Sequence, residues 1–304
     1  MWGEAGHYYT VYYVSLAAGF DEGTAYRNAF YAQMPDEVEE LDAKHLLIQS
    51  ALTKLIVDTS GPGVTFRLYE SVKQGVTNAF IDTFNGIQSA YGQSVVTAAP
   101  PLTSYQRMEK QLNDVHNGIH VLTGGRALEE RSYRADNLQK MKPGTPEFGI
   151  NLHAFGDSYA HTQMDNANRL YHTGLGHARH TTTPDEIEHR QGIYLQYVIQ
   201  LYRNLADIAK RQGLTPLLPE NEVLLIAREV SLQKDSDAQI ALIRKMTAGM
   251  MGVTMSGHQP EKEGLFSMEQ YGERYPQEIE DPDKLLQESR NQANLYYWQG
   301  SHGK

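Results

Sequence analysis

Residues 152–161 read Leu-His-Ala-Phe-Gly-Asp-Ser-Tyr-Ala-His. His153, Asp157 and His161 stand at i, i+4 and i+8, a spacing that aligns side chains along one face of an α-helix. The residues between them include the small Ala154, Gly156 and Ala160, which leave room for a metal cluster inside a helical bundle. A carboxylate between two imidazoles is a ready bridge between metal ions: it gives one oxygen to each ion while each imidazole supplies a nitrogen. The plainer alternative is a row of hydrogen-bonded polar residues on a partly buried face.

The rest of the chain is mostly helical in pattern, which makes the expected fold class all-α, a multi-helix bundle with a polar C-terminal tail. Tyr8, Val11, Tyr12 and Leu16 share one face of a segment over 7–18 that Gly19 closes. Asp21 is placed to cap the next helix, which the pattern ends at Pro35-Asp36. Further helices are expected over 38–57, 104–122, 126–140 and 147–171. Thr183-Pro184-Asp185-Glu186 reads as a helix start, with Thr at the N-cap, Pro at N1 and acids in the first turn, and that helix is expected to reach Arg211 before Gly213. Two more are expected near 219–232 and 236–250. Residues 64–100 read as helix or, from their β-branched runs, as a small ribbon. The expected organisation is a metal-dependent hydrolase domain over 1–256, with 64–101 as an insertion, and a polar extension over 257–304 carrying a short helix at 282–296.

The chain has no cysteine, so no disulfide and no thiolate ligand exists, and metal ligands must come from His, Asp and Glu. That makes its 12 histidines informative. His177 and His180 flank a Gly-bounded turn that leads to Asp185. His177 is the favoured ligand there. Asp185 is a ligand or an acid complementing a helix dipole. His180 is a ligand or a donor to a substrate oxygen. His116 and His120 are i, i+4 on an expected helix, and His120, flanked by Ile119 and Val121, is the preferred ligand of the two. Asp36 is a fourth candidate, with an ordinary N-cap as its alternative. The methionines at 246, 250, 251 and 255 read as core filler.

The formal charge of -10 argues against a protein that coats duplex DNA, but leaves open an enzyme whose metal ions attract phosphate locally. No stretch approaches the roughly 20 apolar residues of a membrane span. Met-Trp-Gly-Glu-Ala-Gly-His has neither a basic nor an apolar leader region. The expected location is cytoplasmic, or outside the cell after export without a classical signal, as for a delivered effector domain. A piece cut from a longer chain fits as well.

With these residues in view, Trp2-Gly3-Glu4-Ala5-Gly6-His7 resembles the mature N-terminus of the fungal single-strand-specific nucleases, which share a superfamily with the bacterial zinc-dependent phospholipases C. His153-x-x-x-Asp157 is similar to that superfamily's central motif with its bridging aspartate. The resemblance implies an all-helical enzyme with two or three zinc ions. Trp2 would bind through its amino nitrogen and carbonyl oxygen, and His7 through its ring. By order along the chain, Asp36 takes the place of the family's early aspartate, and His120 or His116 that of the next histidine. His161, His177 and Asp185 take the places of the late ligands. The matched segments span residues 2 to 185. Three features differ: Met1 precedes Trp2, the Asp157-to-His161 spacing is tighter, and the His177-to-Asp185 spacing is wider.

What the resemblance implies is hydrolysis of phosphate esters, with water activated by zinc and Asp157 and Asp36 as catalytic residues. Asp36 would orient or deprotonate that water. Arg179 is placed to pair with a phosphate oxygen, or is a solvated surface arginine. The substrate is a phospholipid or a single-stranded nucleic acid, with phospholipase C favoured because no basic groove is apparent. Competing readings are another metal-dependent hydrolase such as an amidohydrolase, although no His-Glu-x-x-His motif is present, and a non-enzymatic helical module stabilised by metal.

Overall fold

Thr10–Ala17 is apolar all round and every one of its residues is buried, so this helix belongs in the middle of the protein. In the computed structural model of the chain, the described residues are 2–38, 41–42, 113–172, 180 and 182–251. A π-helical turn, Ala5–Tyr9, leads directly into α1 (Thr10–Ala17). After α2 (Glu22–Glu37) come α3 (113–118), α4 (Ala127–Leu138) and α5 (Pro146–Ala160). Two 3-10 turns, Thr183–Asp185 and Ile187–His189, precede α6 (Gln191–Arg211), α7 (Glu220–Ser231) and α8 (Ser236–Met251). Among the described residues there is no β-strand, only isolated bridges that pair 123–126 with 169–172 and Thr162 with Leu170. The chain is all-α over these residues, and no helix among them is long and apolar enough to cross a membrane.

Central and peripheral helices follow from their patterns. In α5 every residue from Phe148 to Ala160 is buried, and α2 is buried from Asn28 to Pro35. These two helices pack along each other, with α1 against α2. By contrast α6 buries Tyr194, Tyr197, Val198, Leu201, Tyr202, Leu205 and Ile208, an i, i+3, i+4 stripe of an amphipathic outer helix. It covers α1 and α5 on one side and carries α7 on the other. A cluster of rings joins these layers: Trp2 stacks on Tyr197 at 6.1 Å and meets Tyr194 edge-on at 5.7 Å, while Phe155 and Tyr159 also touch Tyr197.

The close approach of α2 and α5 depends on Gly149. A β-carbon there would overlap Cβ of Tyr31 and stand 2.9 Å from the Tyr31 carbonyl carbon, so backbone would have to move. Gly149→Ala is therefore expected to destabilise the fold by about 2–3 kcal/mol in a urea titration. A change of a few tenths would mean that the two helices can separate at no cost.

Several expected boundaries shift. Asp21 does cap α2, accepting from the Thr24 backbone N–H at 2.9 Å. The helix then runs through Pro35 to Glu37 instead of breaking there. Pro35 falls in the last turn, where losing one N–H interrupts little, and Val38 N–H still bonds the Met34 carbonyl at 3.1 Å. Asp36 is thus a last-turn residue, not an N-cap. No helix begins at Val38, which is extended (φ -101°, ψ 116°). The expected 104–122 helix ends at 118, and Val121 adopts φ 55°. The 147–171 helix ends at Ala160, after which the chain turns back to make the bridges of 162–172.

The Thr183-Pro184-Asp185 start gives only a 3-10 turn, and α6 begins at Gln191. Between them Arg190, 7% exposed, donates to the Thr162 carbonyl at 3.0 Å and to the Thr162 hydroxyl. That anchorage fixes the chain in a non-helical conformation (φ -130°) just before α6. The readings of 64–101, of the 257–304 tail with its 282–296 helix, and of Met255 lie outside the described residues, as does most of the expected 38–57 helix.

Candidate metal centre

The site forms where the π-turn, the end of α2, the turn after α3 and the second half of α5 meet. On α5, His153 and Asp157 lie one turn apart on the inner face, both without exposed surface. His7 reaches them from the π-turn, its Nε2 3.1 Å from Asp157 Oδ1 and its ring stacked on His153 at 4.2 Å between centroids. Gly156 makes that possible: a β-carbon there would stand 3.0 Å from His7 Cε1. His120 arrives from the turn after α3 and sets Nδ1 3.3 Å from Asp157 Oδ2. The left-handed conformation of Val121, uncommon for a β-branched residue, falls at this turn. Val121 is held there by packing on Ala127, Ala154 and Leu170. Asp36, from the end of α2, brings Oδ1 to 4.0 Å from His120 Nδ1 and 3.9 Å from His153 Nε2.

Backbone carbonyls orient two of the imidazoles. His153 Nδ1 lies 2.8 Å from the Ala32 carbonyl, and His120 Nε2 lies 2.7 Å from the Leu41 carbonyl. A carbonyl only accepts, so these nitrogens carry the ring protons, and this contact assigns the tautomer. In the neutral rings the other nitrogens, His153 Nε2 and His120 Nδ1, then present lone pairs. They are 3.1 Å from one another, and 3.2 and 3.3 Å from the same Asp157 oxygen. Asp36 Oδ1 is buried beside them with no hydrogen-bond partner among the described residues. These two nitrogens, the Asp157 carboxylate and Asp36 Oδ1 therefore converge on one small volume. A second-layer carbonyl on each histidine and a lone pair turned inward is the usual arrangement of metal-ligating imidazoles.

The electrostatics agree with an acceptor-rich site. Burial pushes the His7 and His153 imidazoles below their ordinary pKa, with each other's charge adding at His153. Burial opposes protonation of His120 too, but the Asp157 carboxylate outweighs it and raises that group. Asp157 is itself opposed by burial, yet the surrounding imidazoles, His161 first, hold it well below the usual carboxylate range. Asp36 is pushed up to about 6, chiefly by burial.

Two sets of ligand atoms lie within 4.8 Å of one another here: His7, His153 and Asp157, and Asp36, His120 and His153. Buried His/Asp groups able to hold metal are thus present, and their nitrogen and carboxylate donors suit a divalent transition ion such as zinc. His161 sits at the C-cap of α5, with Nδ1 3.7 Å from Asp157 Oδ2 and donating to the His120 carbonyl. His116 is buried, but belongs to neither set, and it no longer shares a helix with His120. Trp2 is fully buried beside the π-turn. Asp185 lines a cavity beyond Asp36, and His180 is exposed, with Nδ1 2.8 Å from the Tyr171 hydroxyl. His177 and Arg179 lie outside the described residues. A third grouping, Glu186, Glu188 and His189, is closed by its own partners: His189 meets Glu186 at 2.6 Å, and Gln239 donates to Glu188 at 2.7 Å.

The cavity holds about 500 Å³ and opens between the π-turn, the end of α2, the 3-10 turns and the start of α8. Its wall carries Glu4, Glu186, Glu188 and Asp237, none of which is among the candidate ligands read from the sequence. The acidic run at 185–188 was the only local signal. The carbonyls of Ala32 and Leu41 left none, because a backbone acceptor has no sequence signature. In comparisons with known proteins, no family model, no curated protein and no solved structure matches the chain.

Proposed function

We propose that the chain is a zinc-dependent phosphodiester hydrolase of the phospholipase C kind. The observation that carries this reading is the convergence of His153 Nε2, His120 Nδ1, Asp157 and Asp36 as acceptors around a point that needs positive charge. His7, His153 and Asp157 could hold one ion, or Asp36, His120 and His153 could; His153 has one lone pair to give, so a second ion alongside the first would draw on the ligands that His153 leaves over. Asp157 turns Oδ1 toward His7 and Oδ2 toward His120 and His153, as a bridging carboxylate does. When bound, zinc supplies Lewis acidity and lowers the pKa of water toward about 7. The protein's part is to fix the ligands with the Ala32 and Leu41 carbonyls. Asp36 also lines the cavity, where its carboxylate can hold a water against a substrate.

The cavity favours a lipid phosphodiester over a nucleic acid. Its lining has carboxylates and no lysine or arginine among the described residues, and such a wall repels a polyanion. The test is metal content by element-resolved mass spectrometry on untagged protein purified without chelator, followed by hydrolysis of bis(4-nitrophenyl) phosphate, phospholipid vesicles and single-stranded DNA. Two or three zinc per chain and diester hydrolysis that a chelator abolishes are expected. Less than one transition metal per chain after zinc reconstitution would overturn the reading. Faster cleavage of DNA than of lipid would move it to the nuclease alternative.

A further inference from the structure

Five of the seven large apolar side chains exposed among the described residues fall in one stretch: Leu214, Leu217, Leu224, Leu225 and Leu232. The stretch comprises the loop after α6 and the length of α7. It is firmly held. The Leu217 and Leu218 N–H groups bond the Ala17 carbonyl at 2.9 and 3.2 Å, and the Tyr202 hydroxyl donates to the Leu218 carbonyl at 2.5 Å. On α7, Val223, Ala227 and Val230 form the buried stripe. Leu225 and Leu232, 59% and 56% exposed, lie two turns apart on the opposite side, so both face outward. Arg228 is exposed on one side of that line, and Glu222 and Glu229 on the other. An apolar strip of this length, rimmed by charge, marks an interaction surface.

The chain itself supplies an element of matching chemistry. Residues 252–304 follow α8, which packs against α7. At helical spacing Leu285, Leu286, Ser289, Ala293, Tyr296 and Tyr297 share one face. Arg290 falls at one edge of that face and Glu288 toward the other. When such a helix is laid antiparallel on α7, Glu288 meets Arg228, and Arg290 falls between Glu222 and Glu229. The same register carries Leu285 and Leu286 to Leu232, and Tyr296 and Tyr297 to Leu217. Laid parallel, it would set Arg290 against Arg228 and Glu288 against the glutamates. Roughly 30 residues separate Met251 from Leu285, and a coil of that length spans about 30 Å, more than the roughly 18 Å of α7.

We propose that residues 282–298 dock as a helix, antiparallel, on the outward face of α7, covering Leu225 and Leu232 and pairing Glu288 with Arg228 and Arg290 with Glu222 and Glu229. The start of α8 walls the cavity with Ser236, Asp237, Gln239 and Ile240, and α7 packs against α8. The docked segment therefore braces that wall from outside. The inference does not depend on the metal chemistry.

Because the chain has no cysteine, an introduced pair is its only source of thiols. In the full chain, Leu225→Cys with Ser289→Cys is expected to be joined within one molecule by a short bis-maleimide. The yield should exceed by at least about fivefold that of Leu128→Cys with Ser289→Cys, since docking raises the effective concentration at Leu225 alone. Leu128 is the control because it is 76% exposed and lies on α4. Arg228→Glu is expected to lower the Leu225–Ser289 yield and Glu288→Arg to restore it, a rescue that a merely adhesive face would not give. Amide exchange over 282–298 is expected to be at least about tenfold slower than in an unstructured peptide. Leu225→Glu with Leu232→Glu, both exposed and so tolerated by the fold, should bring it within about twofold of the peptide rate. Exchange at the peptide rate in the native chain overturns the proposal. So does a cross-link that forms only between molecules and rises with protein concentration, which assigns the face to a second copy. Unprotected 282–298 together with Leu225-dependent sedimentation on phosphatidylglycerol vesicles overturns it in favour of a lipid surface.

Discussion

Asp157→Asn is expected to reduce zinc to less than one ion per chain and to abolish hydrolysis. The substitution is isosteric, so packing around α5 is kept, and the effect isolates charge and lone pairs. In the native protein Asp157 meets His7 at 3.1 Å, His153 at 3.2 Å and His120 at 3.3 Å. An amide offers those three nitrogens one oxygen and one NH₂. The NH₂ donates to an imidazole lone pair that a metal would otherwise take, and the neutral oxygen would no longer offset the charge of a bound ion. Loss of an outer-layer partner costs about 10–100-fold in metal affinity, and a residue placed between both ligand sets should exceed the upper figure. Competition with a coloured chelator measures the affinity, and circular dichroism checks that the helices persist. Native zinc content and turnover in this variant would show that the His/Asp row serves only to hold the helices together.

The helical frame was largely legible in the sequence because its signals are local. Asp21 caps α2 through the Thr24 N–H three residues away, and the i, i+3, i+4 stripe of α6 depends on nothing distant. The pairing of His153 with Asp157 was legible for the same reason, since one turn of one helix carries both. His161 lies near Asp157, as the spacing expects. The end of the helix was not legible: the pattern continues, whereas α5 stops at the His161 C-cap because 162–172 bonds back to 123–126 and Arg190 binds Thr162. These contacts join segments far apart in the chain, and tertiary pairing overrides local propensity there. The turn that aims His120 was equally hidden: a valine at φ 55° contradicts its own preference and is held by Ala127, Ala154 and Leu170. The acidic cavity is assembled from four separate segments, so no window of sequence contains it.

Stripping the protein with a chelator and adding zinc back is expected to raise the melting temperature by about 10 °C or more. A ligand that binds only the folded state adds roughly 4 kcal/mol when present at about 1,000 times its dissociation constant. For domains of about 150–250 residues each kcal/mol moves the midpoint by roughly 2–4 °C, so one well-held ion accounts for the lower bound and a second raises it. The direction follows from the geometry of the site without metal. In the neutral rings His153 Nε2 and His120 Nδ1 oppose lone pairs across 3.1 Å, with Asp36 Oδ1 buried beside them and without a hydrogen-bond partner among the described residues. Like-signed acceptors that close repel, and only protons or a cation relieve them. Zinc should be far more effective than magnesium or calcium, because imidazole nitrogens favour the softer ion and the hard ions prefer oxygen cages. Differential scanning fluorimetry across the four conditions (stripped, zinc, magnesium, calcium) reads this directly. A shift of less than about 2 °C with zinc, below what even 1 kcal/mol gives, would mean that protons already satisfy the cluster and that the imidazoles act as hydrogen-bonded spacers between α2 and α5.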